Sequence, residues 1–199
     1  LFKLLEKTHV VVGENVSVFG NFKGEDCIRE GVDVRELYLL RPASFSRIES
    51  NICFMENVAG ITNNSIKLGR VKKLELWGYP VNILPRLVLH GENVMDEFCL
   101  NADKKEHVAE IIRVESKSIW LGKMKRLELR DYAVNVLPKL VLHGENIIEE
   151  LRLDAAKKEH VSEIMKTKDS STRLGKVKKF ESRRYASNIV QKLCLEYVE

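Results

Sequence analysis

Two nearly identical decapeptides, 53 residues apart, constrain the fold more than any other feature of the sequence. LPRLVLHGEN occupies 84–93 and LPKLVLHGEN occupies 137–146, and they differ by one Arg-to-Lys exchange. When 65–117 is placed over 118–170 without gaps, 30 of the 53 positions are identical. Internal periods of this size indicate a solenoid or an array of stacked units. The sequence therefore predicts a repeat architecture.

The repeated sequence extends to both sides of these two copies. A partial third copy, 171–199, begins STRLGKVKKFESRRY. A more divergent match to the same repeat sequence precedes the full copies. We therefore predict one array over 1–199, because stacked units share a continuous core and need no linker. Its parts are degenerate N-terminal units in 1–64, full double repeats in 65–117 and 118–170, and a partial repeat in 171–199.

Each full copy contains two strand signals and two helix signals. VKKLELW (71–77) alternates apolar and polar residues, which is typical of a strand with one buried face, and DEFCLNA (96–102) predicts a second strand. ILPRLVLHG (83–91) predicts a short helix with Pro in its first turn and Gly at its end. KKEHVAEIIRV (104–114) carries apolar residues at helical spacing and predicts a second helix.

The segments KKLELWGYPVNILPRL and EELRLDAAKKEHVSEI resemble leucine-rich repeats, with an L-x-L strand and apolar helix positions further on. Their alternating units of about 24 and 29 residues are similar to the ribonuclease-inhibitor-like branch of that family. The resemblance covers roughly 30–199. The Asn or Cys that usually follows the strand is missing at its standard offset, since Asn82 and Asn135 come later. The resemblance implies an α/β leucine-rich-repeat solenoid, with a curved parallel sheet on the concave side and helices on the convex side.

An all-helical array of the armadillo or HEAT type is the main alternative fold. Such arrays have shorter periods, of about 40–47 residues. The alternation in KKLELW, KRLELR and EELRLD favours strands and therefore the sheet-containing array.

Charge and composition argue against several classes of partner. The 33 basic and 29 acidic residues are interleaved along the chain, with a net charge of +4. Nucleic-acid-binding proteins concentrate their basic residues on one face, so we expect no nucleic-acid partner. No apolar run approaches the ~20 residues of a membrane span. Four cysteines without a paired spacing favour reduced thiols and a cytoplasmic location. Because the chain begins at Leu1, an earlier targeting segment, and hence secretion, stays an open alternative.

The histidines recur with the repeat, which favours a structural role. His90 and His143 form one recurring pair, and His107 and His160 form another. A catalytic group is normally built once, and ligands two strands apart lie about 10 Å from each other, too far to share one zinc ion. The sequence therefore predicts no catalytic residue, no cofactor and no metal site. His107 and His160 are expected on a solvated helix face.

The polar face of the predicted strands is the candidate site of function. Its first row alternates in charge and predicts an ion-pair ladder: Glu36, Lys73, Glu97, Arg126, Glu150, Lys179. Its third row follows no such rule: Leu40, Trp77, Asn101, Arg130, Asp154, Arg183. Tyr38 opens the middle row.

The two full copies differ most at the outward strand positions and in the loops just after the strands. Trp77 is exchanged for Arg130, and Cys99 for Arg152, whereas most other differences are conservative. This pattern suits a recognition surface that differs from unit to unit, although neutral drift at exposed sites also produces it. Aromatic residues and Arg dominate protein interfaces. The predicted partner-binding residues are Tyr38, Trp77, Arg130, Arg152 and Arg183.

The sequence thus predicts a non-enzymatic module that binds a protein partner on the concave face of a solenoid. It does not identify that partner or the oligomeric state. An alternative is the recognition segment of a larger enzyme complex, such as a ubiquitin-ligase adaptor or a GTPase activator. A purely structural or surface protein is a third possibility.

The end of the third copy differs from its predecessors. Gln191 replaces the repeated Pro and Tyr197 replaces the repeated Gly, so both signals that keep the short helix short are lost. We therefore predict one longer helix over 185–198 that covers the edge of the last strand. The alternative is a further unit that follows this one.

Overall fold

Alternating apolar and polar residues form parallel strands that build an open sheet. The computed structural model describes residues 62–198 and the backbone of one earlier strand, 43–50. Every strand pair in this part of the chain is parallel. The strands are β1 (Ala43–Ser50), β2 (Ile66–Gly69), β3 (Val71–Gly78), β4 (Leu87–Leu89), β5 (Val94–Ala102), β6 (Ile119–Asp131), β7 (Leu140–Leu142), β8 (Ile147–Ala155), β9 (Thr172–Arg184) and β10 (Leu193–Tyr197).

The main sheet has the order β1-β3-β5-β6-β8-β9-β10. The short strand β7 pairs with the beginning of β6, and β2 and β4 form a separate two-stranded sheet. Each long strand therefore has two parts: the first pairs with a short strand of its own unit and the second joins the main sheet.

Helical segments connect the strands, and most of them are 3-10 helices. Three are eight residues long and begin 53 residues apart: Tyr79–Arg86, Tyr132–Lys139 and Tyr185–Lys192. The shorter segments are the 3-10 helices Lys105–Val108, Lys158–Val161 and Ile164–Lys166 and the α-helix Ala109–Arg113. Parallel neighbouring strands require a crossover connection of this kind.

The inward residues of the strands and the apolar residues of the helical segments share one core. Leu74, Phe98, Leu127 and Leu151 are in cross-strand register, and each is at most 1% exposed. Full burial of such a side chain stabilises the fold by about 1.5–3 kcal/mol relative to exposure. The core thus lies on one face of the sheet, and the alternate side chains point away from it.

The main chain leaves the three long strands through the same unusual conformation. Gly78, Asp131 and Arg184 all have positive φ angles, of 71°, 55° and 55°. Glycine adopts this region freely, whereas other residues are strained there by on the order of 1–3 kcal/mol. The surrounding elements therefore impose the turn on Asp131 and Arg184.

The α/β class and the strand predictions are confirmed. The segments 71–77 and 96–102 lie in β3 and β5, and 104–114 contains the short 3-10 helix and the α-helix. A parallel sheet excludes the all-helical alternative for the described part of the chain.

The helix predicted over 83–91 is wrong in its second half. The 3-10 helix ends at Arg86, and Leu87–Leu89 forms β4. A short apolar run fits a buried strand as well as a buried helix. Here the run is a strand because it pairs with β2.

The longer helix predicted over 185–198 is also wrong. The 3-10 helix ends at Lys192, and Leu193–Tyr197 forms β10 beside the first half of β9. Losing the repeated Pro and Gly did not extend the helix, because Leu193, Cys194 and Leu195 pair as β7 does in the preceding unit.

The strand expected next to β3 was assigned to the wrong residues. The segment 43–50 pairs with β3 as β1, and its Ser44 and Glu49 are opposite Lys73 and Trp77. The segment expected there, with Glu36, Tyr38 and Leu40, lies outside the described residues.

Candidate functional site

The strand register assembles fifteen outward side chains into three rows on the face opposite the core, which we call the outer face. Five strands contribute three residues each at alternate positions. The residues are Lys73, Glu75 and Trp77 in β3; Glu97, Cys99 and Asn101 in β5; Arg126, Glu128 and Arg130 in β6; Glu150, Arg152 and Asp154 in β8; and Lys179, Glu181 and Arg183 in β9.

The predicted order of alternating charge in the first row is confirmed from β3 onward, with ion pairs on both sides of Glu97 and between Glu150 and Lys179. Glu97 Oε2 is 3.1 Å from Lys73 Nζ and 3.7 Å from Arg126 Nη2. Farther along, Lys179 Nζ donates to Glu150 Oε1 at 2.7 Å. Exposed pairs of this kind contribute little individually, so the ladder fixes side-chain positions more than it stabilises the fold.

The alternation is wider than the sequence reading recognised. On β6, β8 and β9 every outward position is charged, and the sign changes both along each strand and between neighbouring strands. We call these nine residues the charge grid: Arg126, Glu128, Arg130, Glu150, Arg152, Asp154, Lys179, Glu181 and Arg183. The third row therefore does follow the alternation from Arg130 onward, contrary to the sequence-based expectation.

Each arginine that was predicted to bind a partner is already held by carboxylates of the grid. Arg130 donates through Nε to Glu128 at 2.6 Å, and Arg183 donates through Nε to Glu181 at 2.7 Å. Arg152 donates to Glu150 at 2.9 Å and lies 3.6 Å from Glu181. The three guanidinium groups are therefore oriented before any partner arrives.

The pKa shifts in the grid follow from these contacts. The hydrogen bond to Glu128 raises the pKa of Arg130. Hydrogen bonds from Lys179 and Arg152 lower the pKa of Glu150, and the hydrogen bond from Arg184 lowers the pKa of Asp154. The charged forms of all three groups are thus favoured, and the alternating pattern persists at neutral pH.

Arg130, Arg152 and Arg183 converge on one shallow cavity of about 360 Å³. Asp154 and Glu181 also line it, so its wall carries both signs of charge. The structure therefore brings together three of the five residues that the sequence proposed for partner binding.

The other two predicted residues are not part of this cavity. Trp77 is half-buried in β3, and its row neighbour Asn101 separates it from Arg130. Two strand spacings correspond to about 10 Å. Tyr38 lies outside the described residues.

Trp77, Cys99 and Asn101 form an uncharged corner beside the charge grid. Cys99 is only 4% exposed although it points outward. Burial is the main cause that raises the pKa of its thiol, to about 12. The thiol is therefore protonated at neutral pH and is a poor nucleophile. Trp77 is thus the residue of this corner that offers apolar surface beside the charge grid.

The histidines His107 and His160 are buried, and the expected solvated helix face is wrong. They are 5% and 4% exposed, and each lies near one aspartate. The Nδ1 atom of His107 is 3.0 Å from Asp103, and that of His160 is 2.7 Å from Asp131. The two aspartates are not equivalent in the repeat, but each histidine ring also packs against a repeated tyrosine, Tyr79 or Tyr132, and this shared contact supports a structural role. Among the residues that the structure describes, no group of three or more His, Cys, Asp or Glu side chains could hold a metal ion.

The residues that sequence reasoning missed are the carboxylates that orient the arginines. Glu128, Glu150 and Glu181 were not proposed as site residues, although each stands two positions from the arginine that it holds on its own strand. The signal was present in ELR (128–130), ELR (150–152) and ESR (181–183), each with a carboxylate and an arginine at alternate positions. It became interpretable only with the register of three strands.

No protein-family model, no curated protein and no solved structure matches the chain. Within 62–198, no helix is long and apolar enough to cross a membrane.

Proposed function

We propose that the chain is a leucine-rich-repeat-like solenoid that acts in the cytoplasm as a non-enzymatic protein-recognition module. Two observations support the solenoid. The helical segments pack on one face of an open parallel sheet, and the three long 3-10 helices begin 53 residues apart. Strands stack more closely than helices, so such an arrangement curves with the sheet on its concave side.

The observation that carries the functional proposal is the convergence of Arg130, Arg152 and Arg183 on one cavity of the outer face. A guanidinium group has five N–H donors, and the pairs with Glu128, Glu150 and Glu181 use only part of them. The remaining donors are available to carboxylate or carbonyl oxygens of a partner. Their orientation is already fixed, which lowers the entropy lost on binding.

Trp77 supplies the apolar part of the same surface. An aromatic side chain beside arginines is the composition typical of the energetically important residues of protein interfaces. The partner that fits this surface presents an apolar side chain to the uncharged corner and acidic or carbonyl groups to the cavity.

Affinity capture with the intact chain tests the proposal. Proteins retained by the wild type are quantified and compared with those retained by Trp77→Ala and by an Arg130→Ala, Arg183→Ala double variant. Matched controls are Trp120→Ala and Arg113→Ala. Trp120 is 39% exposed on the first half of β6, and the Arg113 side chain is 76% exposed on the helical side, both away from the outer face.

We expect the outer-face variants to lose the same retained protein while the control variants keep it. A loss of one anchor typically weakens an interface by more than about 1 kcal/mol, or roughly fivefold. Retention of every captured protein by both outer-face variants would contradict the proposed site.

A further inference from the structure

The strand β7 and the first part of β9 are neighbours that share no hydrogen-bonded ladder. β7 pairs with β6, and 172–175 of β9 pairs with β10. Between β7 and this part of β9 runs a groove of about 300 Å³, which we call the side groove. Its volume is at the lower end of the range for small-molecule sites. The groove lies between two described units, and no residue of the outer-face cavity lines it.

Apolar side chains line the inner part of the side groove. Leu137, Leu140 and Leu174 are each at most 3% exposed and belong to the shared core. A hydrocarbon chain that enters the groove therefore exchanges contact with water for contact with an apolar wall, which is favourable. The middle of the groove thus suits the apolar part of a ligand.

Thr172 brings an unpaired hydroxyl group to the side groove. It is 3% exposed, and its Oγ1 atom has no hydrogen-bond partner in the part of the chain that the structure describes. The residues at the same register position in the two earlier units are Ile66 and Ile119. A buried hydroxyl without a partner is costly, so core packing alone does not explain this exchange. Rotation about χ1 exchanges the hydroxyl with the methyl group, and a polar atom in the groove then supplies the partner.

Lys176 brings an unpaired cation to the same groove. In the preceding unit the equivalent Lys123 Nζ lies 3.3 Å from Glu145 Oε2, and the unit before it has the same kind of pair. Val198 stands where the third glutamate would be, 53 residues after Glu145. Glu196 lies opposite Lys176 in the ladder of β10 and β9, but no ion pair joins the two. Among the described residues, Lys176 therefore has no ion-pair partner.

The charges around the side groove are predominantly positive. Lys117 and Arg173 line it together with Lys176, whereas Glu196 is the one carboxylate among the lining residues. No ion pair joins either Lys117 or Arg173 to a residue within 62–198. The groove is therefore complementary to an anion.

The two unpaired groups mark opposite ends of the groove. β7 and β9 run in the same direction, and Thr172 is the first residue of β9. Lys117 is near this end, because its amide donates to the carbonyl of Pro138 just before β7. Lys176 lies four residues farther along β9, which corresponds to about 13 Å in an extended strand. The buried Leu174 stands between the two ends.

We propose that the side groove binds a linear dicarboxylate with a hydrocarbon middle. One carboxylate lies at Lys176, and the other accepts a hydrogen bond from the Thr172 hydroxyl near Lys117. The hydrocarbon chain between them packs on Leu140 and Leu174. A chain of about eight carbons spans this distance between flexible cationic side chains and fits the volume of the groove. The proposal is independent of the proposed function, because it uses another surface and another class of ligand.

Titration of the full chain with octanedioate tests the proposal. Amide shifts in two-dimensional NMR spectra locate the site and give the affinity. Octanoate removes one carboxylate, and octanediamide keeps the length and removes both charges. We expect saturable shifts in 140–144 and 171–176, and binding of the other two compounds that is weaker by about fivefold or more.

Two substitutions remove one end of the site each without a change in the apolar wall. Thr172→Val keeps the shape of the side chain and removes the unpaired hydroxyl, so the protein stays folded. Val198→Glu gives Lys176 the partner that its predecessors have. Each should weaken octanedioate binding by about fivefold. Lys178→Ala is the matched control, since Lys178 is exposed on β9 and does not line the groove.

Trp77→Ala should leave octanedioate binding unchanged, which separates this proposal from the proposed function. The proposal is overturned by the absence of saturable shifts, by equal binding of octanediamide, or by full affinity in both Thr172→Val and Val198→Glu. Shifts centred on the charge grid would place the dianion in the outer-face cavity instead. Tighter binding of an acetylated Glu-Val-Leu-Glu peptide than of octanedioate would assign the groove to a protein segment and would also overturn the proposal.

Discussion

Single asparagines join one unit to the next in this molecule. Asn82 and Asn135 lie in the long 3-10 helices, and each satisfies backbone groups of a helical segment 24 or more residues away. Buried backbone groups without a partner are costly, so each asparagine replaces hydrogen bonds that the short helical segments cannot make themselves. The role of both asparagines is therefore structural.

Asn135→Ala should therefore destabilise the protein strongly. It removes the partner of one carbonyl and two amides, and each buried unsatisfied group costs about 1–3 kcal/mol. We expect the free energy of unfolding to fall by about 2–4 kcal/mol, measured by urea denaturation at neutral pH. Asn188→Ala is the matched control, since Asn188 is exposed and a change of less than about 0.5 kcal/mol is expected there. Equal effects of the two substitutions would contradict this role.

His107 should make stability depend on pH. Burial is the main cause that lowers its pKa below the ordinary 6.5, and the nearby Asp103 acts in the opposite direction. Below the ordinary pKa the unfolded chain therefore binds more protons at this site than the folded chain does. The stabilising effect of the neutral ring is present at pH 7.5 or so and is lost as the pH falls to about 5.5.

Urea denaturation at the two pH values measures this effect. The wild type should lose stability on acidification, and His107→Gln should lose less, because Gln does not titrate. His90→Gln, at an exposed position, should keep the wild-type dependence. The carboxylates with lowered pKa, Glu150 and Asp154, titrate from ordinary values of 4.5 and 3.8 downward and so act outside this range. A pH dependence that is unchanged in His107→Gln would contradict the argument.

At the scale of the strands, the charge grid explains how a face without apolar cover stays ordered. Arg152 occupies its centre, with Glu150 and Asp154 along its own strand and Glu128 and Glu181 on the neighbouring strands. Each exposed pair is weak. Because four carboxylates surround this one cation, however, the sign of the charge at position 152 affects the stability of the sheet.

Arg152→Glu should destabilise the sheet in a salt-dependent way. It places a fifth carboxylate among four, and we expect a loss on the order of 1 kcal/mol in low salt. Screening at about 1 M salt should remove most of this loss. Arg152→Met removes the charge without adding repulsion and should cost less. Arg113→Glu, which disturbs one exposed pair with Glu110, is the control for charge reversal. A salt-independent loss would indicate that packing, and not charge, is responsible.

At the scale of the described molecule, one core runs along the sheet from β3 to β9 and is less buried at β9. Leu127 and Leu151 are at most 1% exposed in the middle of the sheet. Phe180 holds the same inward position on β9 and is only partly buried. Arrays of stacked units are stabilised by contacts between neighbours, so a unit with one neighbour is the less stable one.

Leu127→Ala should therefore cost more than Phe180→Ala, although Phe is the larger side chain. We expect a loss of about 2–5 kcal/mol for the fully buried leucine and a smaller loss for the half-buried phenylalanine. Urea denaturation measures both, and hydrogen exchange should show faster opening of β9 and β10 than of β5 and β6. The reverse order of the two substitutions would mean that the last strand is buried in solution by another surface.

The sequence by itself determined the strands whose alternating apolar and polar pattern recurs in each copy of the repeat. Alternation in VKKLELW and DEFCLNA predicted β3 and β5, and the alternating spacings of 24 and 29 residues placed Lys73, Glu97 and Arg126 in one row. These predictions succeeded because alternation of burial is a local property of a strand. The recurrence of His107 and His160 with the repeat was readable from the sequence, but their expected place on a solvated helix face was wrong, since both are buried.

The tertiary structure decided the features that depend on contacts with a neighbouring strand or unit. LVL and LCL are strands because β6 and β9 pair with them, and the apolar residues alone do not distinguish strand from helix. His107 and His160 are buried because adjoining units pack over them. The charge grid exists because three strands align in one register, which brings together side chains that are 24 or 29 residues apart in sequence. Local patterns specify which way a side chain points, whereas its surroundings are specified only when the units stack.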